Sequence, residues 1–351
     1  MKNSGKTKKK KFSLKEFLIK YKALLIKKFS LKEFLIKYNA LLILFALIIV
    51  SSIISEYFLT ARNIFNVLLQ QVPYMLISLG VMLTIMTGGI DLSVAAIAGC
   101  GNVIVAICIT AWGGDSVGIL FVAIFVAILL GCAIGAINGL LIGKLRMAAF
   151  IVTLAMMSAG QGLAYMMTGG AQIQLKEEIA AAHALNWFAA ARDKLGVPLA
   201  VYLAIFIILV FWFIMRFTPF GRLVLAVGSN ESAVRLAGIN VTKYKVLVYV
   251  ISGGLSAAAG VFAAGRTALG APAFSTSDYA LTTVAACVIG GVALEGGKGT
   301  VLFTIVGVLI LALITNIMNL AGLASYPQLV IKGAIIILAI FLSKLGQKQT
   351  L

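Results

Sequence analysis

The stretch that decides the fold is VGILFVAIFVAILLGCAIGAINGLLI, residues 117–142. It contains no charged residue, and about 20 consecutive apolar residues are enough to cross a bilayer as a helix. Comparable apolar runs recur along the chain, which predicts an all-α, polytopic membrane protein with about ten transmembrane helices. The predicted spans lie near residues 40–59, 67–87, 92–112, 117–142, 148–168, 199–216, 246–265, 279–294, 300–321 and 328–343.

The composition supports this assignment and excludes other classes of protein. Of the 351 residues, 62% are hydrophobic and 11% are charged, whereas soluble domains carry about 25% charged residues. A soluble globule and a disordered chain are therefore both excluded. The net charge is +18, but 13 of the 29 Lys and Arg residues lie within the first 37 positions. A basic segment beside an apolar body indicates contact with anionic lipid at the cytoplasmic face, not with nucleic acid.

The basic N-terminal tail, residues 1–39, contains most of a tandem repeat of 17 residues. Lys10–Ile26 recurs as Lys27–Ile43, with Lys22 replaced by Asn39 as the one difference. Near its start each copy has a serine three positions before a glutamate, Ser13 with Glu16 and Ser30 with Glu33, followed by apolar residues at helical spacing. Two interpretations stay open: an interfacial helix on the cytoplasmic leaflet, or a duplicated leader without a task of its own.

The distribution of basic residues predicts the orientation of the membrane domain, residues 40–344. If the basic tail is inside, ten crossings also place the C-terminal tail, residues 345–351, inside. In this arrangement the inside loops carry ten Lys and Arg residues apart from the tail, and the outside loops carry five. This bias agrees with the rule that cytoplasmic loops are more basic. The sequence therefore predicts a multi-pass protein of the cell membrane with both termini in the cytoplasm.

The longest inside loop, residues 217–245, contains a predicted short helix. Ser229 is predicted to cap its N-terminus, Glu231 and Arg235 to form an ion pair one turn apart, and Gly238 to end it. Two turns of helix are unstable alone, so something must pack against them. On the residues alone, packing against the protein's own loops and docking into a cytosolic partner are both open.

Three motifs follow one another along the chain. They are TGGIDLSV at residues 87–94, GSNESAVRLAG at 228–238 with FGR before it and INV after it, and VIGGVALEGGKG at 288–299. In this order they resemble the membrane permeases of ribose-, xylose- and galactose-type ABC importers, a branched-chain amino acid/ribose-type binding-protein-dependent permease family. The resemblance runs from about Asn63 to Leu342 and excludes the duplicated tail.

The resemblance implies a function and a set of partners. It implies a permease subunit that carries a monosaccharide from an extracytoplasmic sugar-binding protein into the cytoplasm, pairs with a second permease copy and binds cytosolic ATPase subunits. The implied ATPase-coupling residues are Gly228, Ser229, Asn230, Glu231, Arg235 and Gly238. The chain departs from the family at Tyr279, which is followed by Ala280 where an acidic residue is frequent, and at Val292-Ala293, where Thr-Ser is frequent. The sugar itself stays open between hexoses, pentoses and related solutes.

Polar residues within the spans are the candidates for a translocation path. Asp91 lies between paired glycines and a serine, and a charge at mid-bilayer costs at least about 2.5–3.5 kcal/mol, so it needs a partner, water or the membrane surface. It fits either a broken helix beside the path or a cap at the cytoplasmic end of a span. The neutral amides suit the hydroxyls of a sugar, and they suit interhelical contacts equally. The candidate path residues are Asp91, Ser93, Asn102, Asn138, Gln161, Asn316 and Asn319.

No catalytic constellation, cofactor site or metal site is predicted. The GGKGT stretch at residues 296–300 differs from a phosphate-binding loop, because Val292 stands at the required first glycine and Gly299 follows the lysine. The four cysteines lie in apolar runs without metal-ligand spacing, and His183 has no partner cluster. ATP hydrolysis is therefore expected on another chain, and this chain is not expected to be an enzyme. The alternative function is an ion-coupled secondary transporter of a small polar solute, although such proteins carry several intramembrane acidic or histidine groups.

Overall fold

The computed structural model describes residues 38–112, 116–276 and 278–348, and these residues are predominantly helical. The predicted basic tail, apart from Tyr38 and Asn39, lies outside the described residues, and so do residues 349–351 of the predicted C-terminal tail. Helix α13 continues to Lys348, beyond the predicted boundary at residue 344.

Thirteen α-helices, one 3-10 helix and a two-stranded sheet make up the secondary structure of the described residues. The helices are α1 (Asn39–Ile54), α2 (Ala61–Met86), α3 (Val94–Trp112), α4 (Gly118–Gly143), α5 (Ala149–Thr168), α6 (Ala180–Ala190), α7 (Leu199–Phe217), α8 (Pro219–Ser229), α9 (Glu231–Leu236), α10 (Val241–Thr267), α11 (Tyr279–Ile289), α12 (Val301–Leu320) and α13 (Ser325–Lys348). The short strands β1 (Ile173–Gln174) and β2 (Leu269–Gly270) pair antiparallel, and the 3-10 helix covers Pro272–Thr276.

The long helices run between two ends of the bundle, which we name by the short helices that lie there. At the α9 end, the start of α10 meets the end of α4, where the hydroxyl of Thr242 donates to the carbonyl of Gly143 at 3.1 Å. At the α6 end, the end of α10 contacts α6, and the backbone N–H of Leu175 donates to the carbonyl of Ala268 at 2.9 Å. The loops that carry the three sequence motifs all lie at the α9 end.

Helix α10 forms the centre of the bundle and packs along α4, α3 and α2. The stripe of Gly131, Gly135 and Gly139 on α4 faces it. A Cβ atom on Gly131 or Gly135 would overlap the backbone carbonyl oxygen of Gly253 or Tyr249, respectively. The small-residue stripe therefore lets the two backbones approach closely, as its spacing predicts.

Seven helices in the described part of the chain are long and apolar enough to cross a membrane. They confirm a polytopic helical membrane protein, but they do not give the predicted count of about ten. Helices α1 and α11 have 16 and 11 residues, so they measure about 24 Å and about 16 Å, which is less than the roughly 30 Å of the hydrocarbon core. The predicted spans 40–59 and 279–294 are therefore not unbroken helices of spanning length. The seven helices are α2, α3, α4, α5, α7, α10 and α12.

The segment from residue 268 to residue 289 enters the bundle without forming one continuous helix. After β2 the chain runs from the α6 end into the bundle as far as Ser275. The backbone of Ser275 packs directly on that of Gly99 in α3, since a Cβ atom placed on Gly99 would lie only 2.5 Å from the Cα atom of Ser275. Gly99 is 13 residues before the end of α3, which corresponds to a depth of about 20 Å from the α6 end. Helix α11 begins near this depth and runs towards the α9 end. Irregular backbone inside a membrane domain is tolerated only where protein or a cavity surrounds it.

Candidate functional sites: a coupling surface and two cavities

The three sequence motifs meet at the α9 end. The backbone N–H of Gly297 donates to the carbonyl of Met86, the last residue of α2, at 2.9 Å. A Cβ atom on Gly228, near the end of α8, would overlap that same carbonyl oxygen and lie 2.5 Å from the nitrogen of Gly297. We call this backbone contact between residues 86–88, 228–229 and 296–297 the motif junction. A Cβ atom on Gly228 or Gly297 would overlap its neighbours there, which explains these two glycines of the motifs.

Helix α9 begins one residue later than predicted. The side chain of Asn230 caps it, because its Oδ1 accepts a hydrogen bond from the backbone N–H of Ala233 at 2.9 Å. Ser229 is the last residue of α8, and its hydroxyl donates to the carbonyl of Leu225. The prediction that Ser229 is the cap is wrong, because α8 continues through this position and asparagine caps helices equally well. Gly238 has a φ of +79°, as predicted for the residue that ends the helix.

Glu231 links α9 to the start of α10. Its Oε1 accepts from Arg235 at 2.6 Å, which confirms the predicted pair, and its Oε2 accepts from Lys245 of α10, also at 2.6 Å. The hydrogen bond from Lys245, with a smaller contribution from Arg235, lowers the pKa of the Glu231 carboxyl below its ordinary value. Because the carboxylate is partly exposed, these ion pairs add little stability. Their effect is to fix how α9 lies on α10.

The two faces of α9 have opposite environments. Val234 is buried and packs against Val227 of α8 and Val241 of α10. Leu236, at the end of α9, is 89% exposed. Packing against the protein's own loops therefore supports one face, and the other face presents a large apolar side chain to solvent.

Asp91 lies at the centre of a fully buried polar network. Its Oδ1 accepts from the backbone N–H and the hydroxyl of Ser93, at 3.1 and 2.6 Å, and its Oδ2 accepts from the hydroxyl of Ser252 on α10 at 2.8 Å. The amide of Asn138 on α4 donates to the hydroxyl of Ser93 at 2.9 Å. The Asp91 carboxyl thus binds Ser93, the residue before α3, and connects it to Ser252 of α10. Both interpretations from sequence, a broken helix beside the path and a cap at the end of a span, stay predictions.

A cavity of about 250 Å³ lies between α9 and the loop that carries Asp91. It is lined by Thr87, Gly88, Gly89, Ile142, Arg146, Met147, Ala149, Glu231, Lys245 and Tyr249. The hydroxyl of Tyr249 is buried and has no hydrogen-bond partner among the described residues. Since Glu231 and Lys245 form one wall, a displacement of α9 changes this cavity directly.

Asn102 and Gln161 both hold the broken segment in place. Asn102 donates to the carbonyl of Gly260 at 3.2 Å and accepts from the backbone N–H of Ala271 at 2.7 Å. Gln161 donates to the carbonyl of Ser275 at 3.3 Å. These amides replace the backbone partners that a continuous helix would have supplied.

The two asparagines on α12 also have partners on neighbouring elements. Asn316 exchanges two hydrogen bonds with Asn63 of α2, at 2.9 and 3.0 Å, and Asn319 accepts from Gln328 of α13 at 2.8 Å. These contacts match the interhelical interpretation of the polar residues. The assignment of the seven residues to a translocation path stays a prediction.

A second cavity, of about 210 Å³, lies between α2, α10, α11, α12 and α13, where the broken segment starts α11. We call it the α6-end cavity. Its lining is rich in polar side chains and consists of Gln70, Gln71, Tyr74, Arg266, Tyr279, Thr282, Leu311, Ala312, Thr315 and Lys332.

Asp278 organises one wall of the α6-end cavity. Its carboxylate accepts from the hydroxyl of Tyr74 at 2.9 Å, from Lys332 at 3.3 Å and from the hydroxyl of Thr282 at 3.2 Å. Lys332 lies within the predicted tenth span, and this ion pair supplies the partner that a charge in a span requires. The acidic residue that the sequence lacks after Tyr279 thus has a counterpart immediately before it.

This cavity was not predicted from the sequence. Two signals pointed to it: the adjacent amides Gln70 and Gln71 within an apolar span, and Lys332 as a charge without an assigned partner. Neither signal identified Asp278, because only the broken backbone before α11 brings it to Lys332, 54 positions away.

The described residues contain no group of three His, Cys, Asp or Glu side chains that could hold a metal ion. The four cysteines are free thiols, and three of them are buried.

Comparison with known proteins identifies the family. Residues 63–340 match the family described as branched-chain amino acid transport system / permease component. The chain belongs to this family. It is 37% identical to the ribose import permease protein of Escherichia coli (strain K12) over 306 residues, which cover 87% of this chain and 92% of that protein. No solved structure matches the chain.

Other relatives agree with this assignment. The chain is 38% identical to the ribose import permease protein of Bacillus subtilis (strain 168), over 86% of this chain and 90% of that protein. It is 34% identical to the L-arabinose transport system permease protein of Escherichia coli (strain K12), over 78% and 80%. As a member of this permease family the chain is a transport component of the cell membrane and not an enzyme. The predicted extent of the resemblance, from about Asn63 to Leu342, agrees closely with the family match.

Proposed function

We propose that the chain is the membrane permease of an ATP-driven importer that carries a monosaccharide from an extracytoplasmic binding protein into the cytoplasm. The observation that carries this proposal is the 37–38% identity to ribose import permeases along nearly their whole length. Ribose and arabinose, the sugars in the relatives' names, are both aldopentoses, so a pentose, xylose included, is the first candidate, and the hexose galactose is next. The ion-coupled alternative has no support from the relatives.

Helix α9 and its flanks, residues 228–238, are the proposed contact with a cytosolic ATPase. Three features support this role: the exposed Leu236, the ion pairs that orient α9 on α10, and the motif junction beside it. ATP-driven association of the ATPase subunits would press on α9 and shift the bundle between two conformations, each favoured by a different ligand state.

The proposed topology has ten membrane segments and cytoplasmic N- and C-termini. Besides the seven long helices it includes α1, α13 and the broken segment 268–289, in which irregular chain and α11 together make one crossing. The positions of α1 and α12 support it, since the ring centroids of Tyr38 and Phe303, near the first residues of these helices, lie 6.4 Å apart. The excess of basic residues in the loops of the α9 end supports a cytoplasmic location of that end.

A second permease copy and membrane lipid are the proposed neighbours of the outer helices. Helices α4, α5 and α7 expose large apolar side chains along their lengths, among them Phe121, Phe125, Phe150 and Phe206. Such a surface is stable against lipid or another apolar helix. A homodimer is proposed because the family resemblance implies paired permeases.

The proposed translocation path includes the seven polar residues predicted from sequence. Asn138 has the strongest support, because its buried Oδ1 has no partner among the described residues and its amide belongs to the Asp91 network. The other amides use their polar groups in helix contacts, so their contribution requires those contacts to open during transport.

Uptake measurements test the sugar assignment. Cells that contain the ATPase, the binding protein and this chain are supplied with labelled ribose, arabinose, xylose or galactose, and matched cells lack only this chain. Uptake of one of these sugars should require the chain. Equal uptake in both cell types for every sugar, or uptake driven by an ion gradient without ATP, would contradict the proposal.

Co-purification tests the coupling surface separately. Leu236→Asp should reduce recovery of the ATPase with the permease, whereas Leu195→Asp should not, because Leu195 is 78% exposed at the opposite end. Glu231→Ala and Arg235→Ala should weaken the same association while membrane insertion is retained. Undiminished ATPase recovery with all three α9 variants would refute this docking site.

A further inference from the structure

The α6-end cavity combines a fixed carboxylate with several unused hydrogen-bonding groups. Tyr74, Thr282 and Lys332 already donate hydrogen bonds to Asp278, so this side of the cavity has a fixed geometry before any ligand binds. By contrast, the side-chain amides of Gln70 and Gln71 have no hydrogen-bond partner among the described residues.

The hydroxyl of Tyr279 is the most informative of the unused groups. The residue is 7% exposed, and its ring packs at an angle of 55° against that of Tyr74, with 4.5 Å between the centroids. Its hydroxyl has no hydrogen-bond partner among the described residues. Because Tyr279 lines the cavity, a ligand in the cavity can satisfy this hydroxyl.

The charge of the cavity favours a neutral ligand. Lys332 is neutralised by Asp278 at 3.3 Å, and the guanidinium of Arg266 is the one remaining formal charge on the lining. Two free amides, a phenol and one guanidinium offer both donors and acceptors, which matches hydroxyl groups better than it matches a phosphate. Leu311, Ala312 and the tyrosine rings supply apolar surface for the C–H face of a sugar ring.

The size and position of the cavity agree with this chemistry. Its volume of about 210 Å³ is below the roughly 300–1,000 Å³ of pockets for drug-sized ligands. It also lies at the start of α11, where the backbone is broken, and in transporters broken helices at mid-membrane depth commonly surround the substrate.

We propose that the α6-end cavity is a binding site for a neutral monosaccharide, with Gln70, Gln71 and Tyr279 as the groups that bind its hydroxyls. This inference rests on the proposed sugar-import function. The site receives the sugar from the extracytoplasmic side, before the bundle opens towards the α9 end.

Transport kinetics in proteoliposomes, with the complete importer and labelled ribose and arabinose, test the site. Tyr279→Phe and Gln71→Ala each remove one hydrogen bond to the ligand and should raise the KM for sugar-loaded binding protein or lower kcat by about 2- to 10-fold. Gln174→Ala, which changes an exposed glutamine at the same end, should leave both constants unchanged. Thermal unfolding of each purified permease checks that the variants fold as the parent chain does.

A labelling experiment reports binding without turnover. Gln70→Cys places a thiol at the exposed edge of the cavity, whereas three of the four native cysteines are buried. Ribose or arabinose should slow the reaction of this thiol with a membrane-impermeant methanethiosulfonate reagent, and inorganic phosphate at equal concentration should not.

The outcomes separate this inference from the proposed function. If the parent importer transports a sugar, but both variants match Gln174→Ala and sugar gives no protection, the site is refuted and the function stands. Protection by phosphate alone would also refute it, because the cavity would then be an anion site. If the parent importer transports none of the four sugars and none of them protects the thiol, both proposals fail.

Discussion

The packing of α4 on α10 gives a quantitative prediction for Gly135→Ala. A Cβ atom at this position would overlap the carbonyl oxygen of Tyr249 and lie 2.9 Å from its carbonyl carbon and 3.1 Å from the Cα atom of Val250. These are backbone atoms, so no side-chain rotation relieves the overlap and the two helices must separate. Overpacking of this kind costs about 1–3 kcal/mol, whereas replacing a helical glycine by alanine returns up to about 1 kcal/mol.

Gly162→Ala is the matched control for this prediction. Gly162 lies inside α5, and a Cβ atom there would have no neighbour within 4 Å. It therefore gains the same helix propensity without the overlap, and the difference between the two variants isolates the steric cost of about 1–3 kcal/mol.

The assay is thermal unfolding of the two purified permeases in the same detergent, followed by circular dichroism at the helix band. Gly162→Ala should unfold at or above the temperature of the parent chain, and Gly135→Ala should unfold several degrees below it. Equal unfolding temperatures for the two variants would show that α4 and α10 do not approach as closely as described.

Three further predictions concern the α9 end. Asn230→Ala should destabilise α9 by about 1 kcal/mol, seen as faster hydrogen exchange of its amides, while Ser229→Ala should not; equal exchange would contradict the cap. Lys245 lowers the pKa of the Glu231 carboxyl. The stability from their contact is therefore present above the ordinary glutamate pKa and is lost as the pH falls through the lowered value. A distance between α9 and α10, measured with a pair of labels, that stays constant from pH 7 to pH 3 would refute this. Asp91→Ala leaves three buried donors without their acceptor and should lower stability by at least about 1–3 kcal/mol, which thermal unfolding would detect.

The long helices follow directly from the sequence. An uncharged run such as residues 117–142 can satisfy its backbone hydrogen bonds inside a membrane only as a helix. The close packing of Gly135 on α10 was also predictable, because small residues four positions apart lie on one face of a helix and let a neighbouring helix approach. The exact count of spans was not predictable from hydropathy. The segment 268–289 is as apolar as a span, but hydropathy does not register that Asn102 and Gln161 stabilise a non-helical chain in its first half.

The α9 region was predictable because capping, ion pairing and helix termination are local. Glu231, Arg235 and Gly238 have the predicted roles, and the cap moved by only one residue, from Ser229 to Asn230. The α6-end cavity was not predictable, since five helices supply its lining. Residues that look like isolated polar interruptions in separate apolar runs become one site only when the helices are assembled.

The motif junction has a mechanical consequence. Side chains in an ordinary interface can change rotamer and absorb a small displacement, but the junction joins Met86, Gly228 and Gly297 through main-chain atoms alone. A contact of this kind is stiff. A push on α9 is therefore transmitted to the end of α2 and to the loop before α12 with little loss. The glycines of the junction thus couple the surface of the α9 end to the core of the bundle.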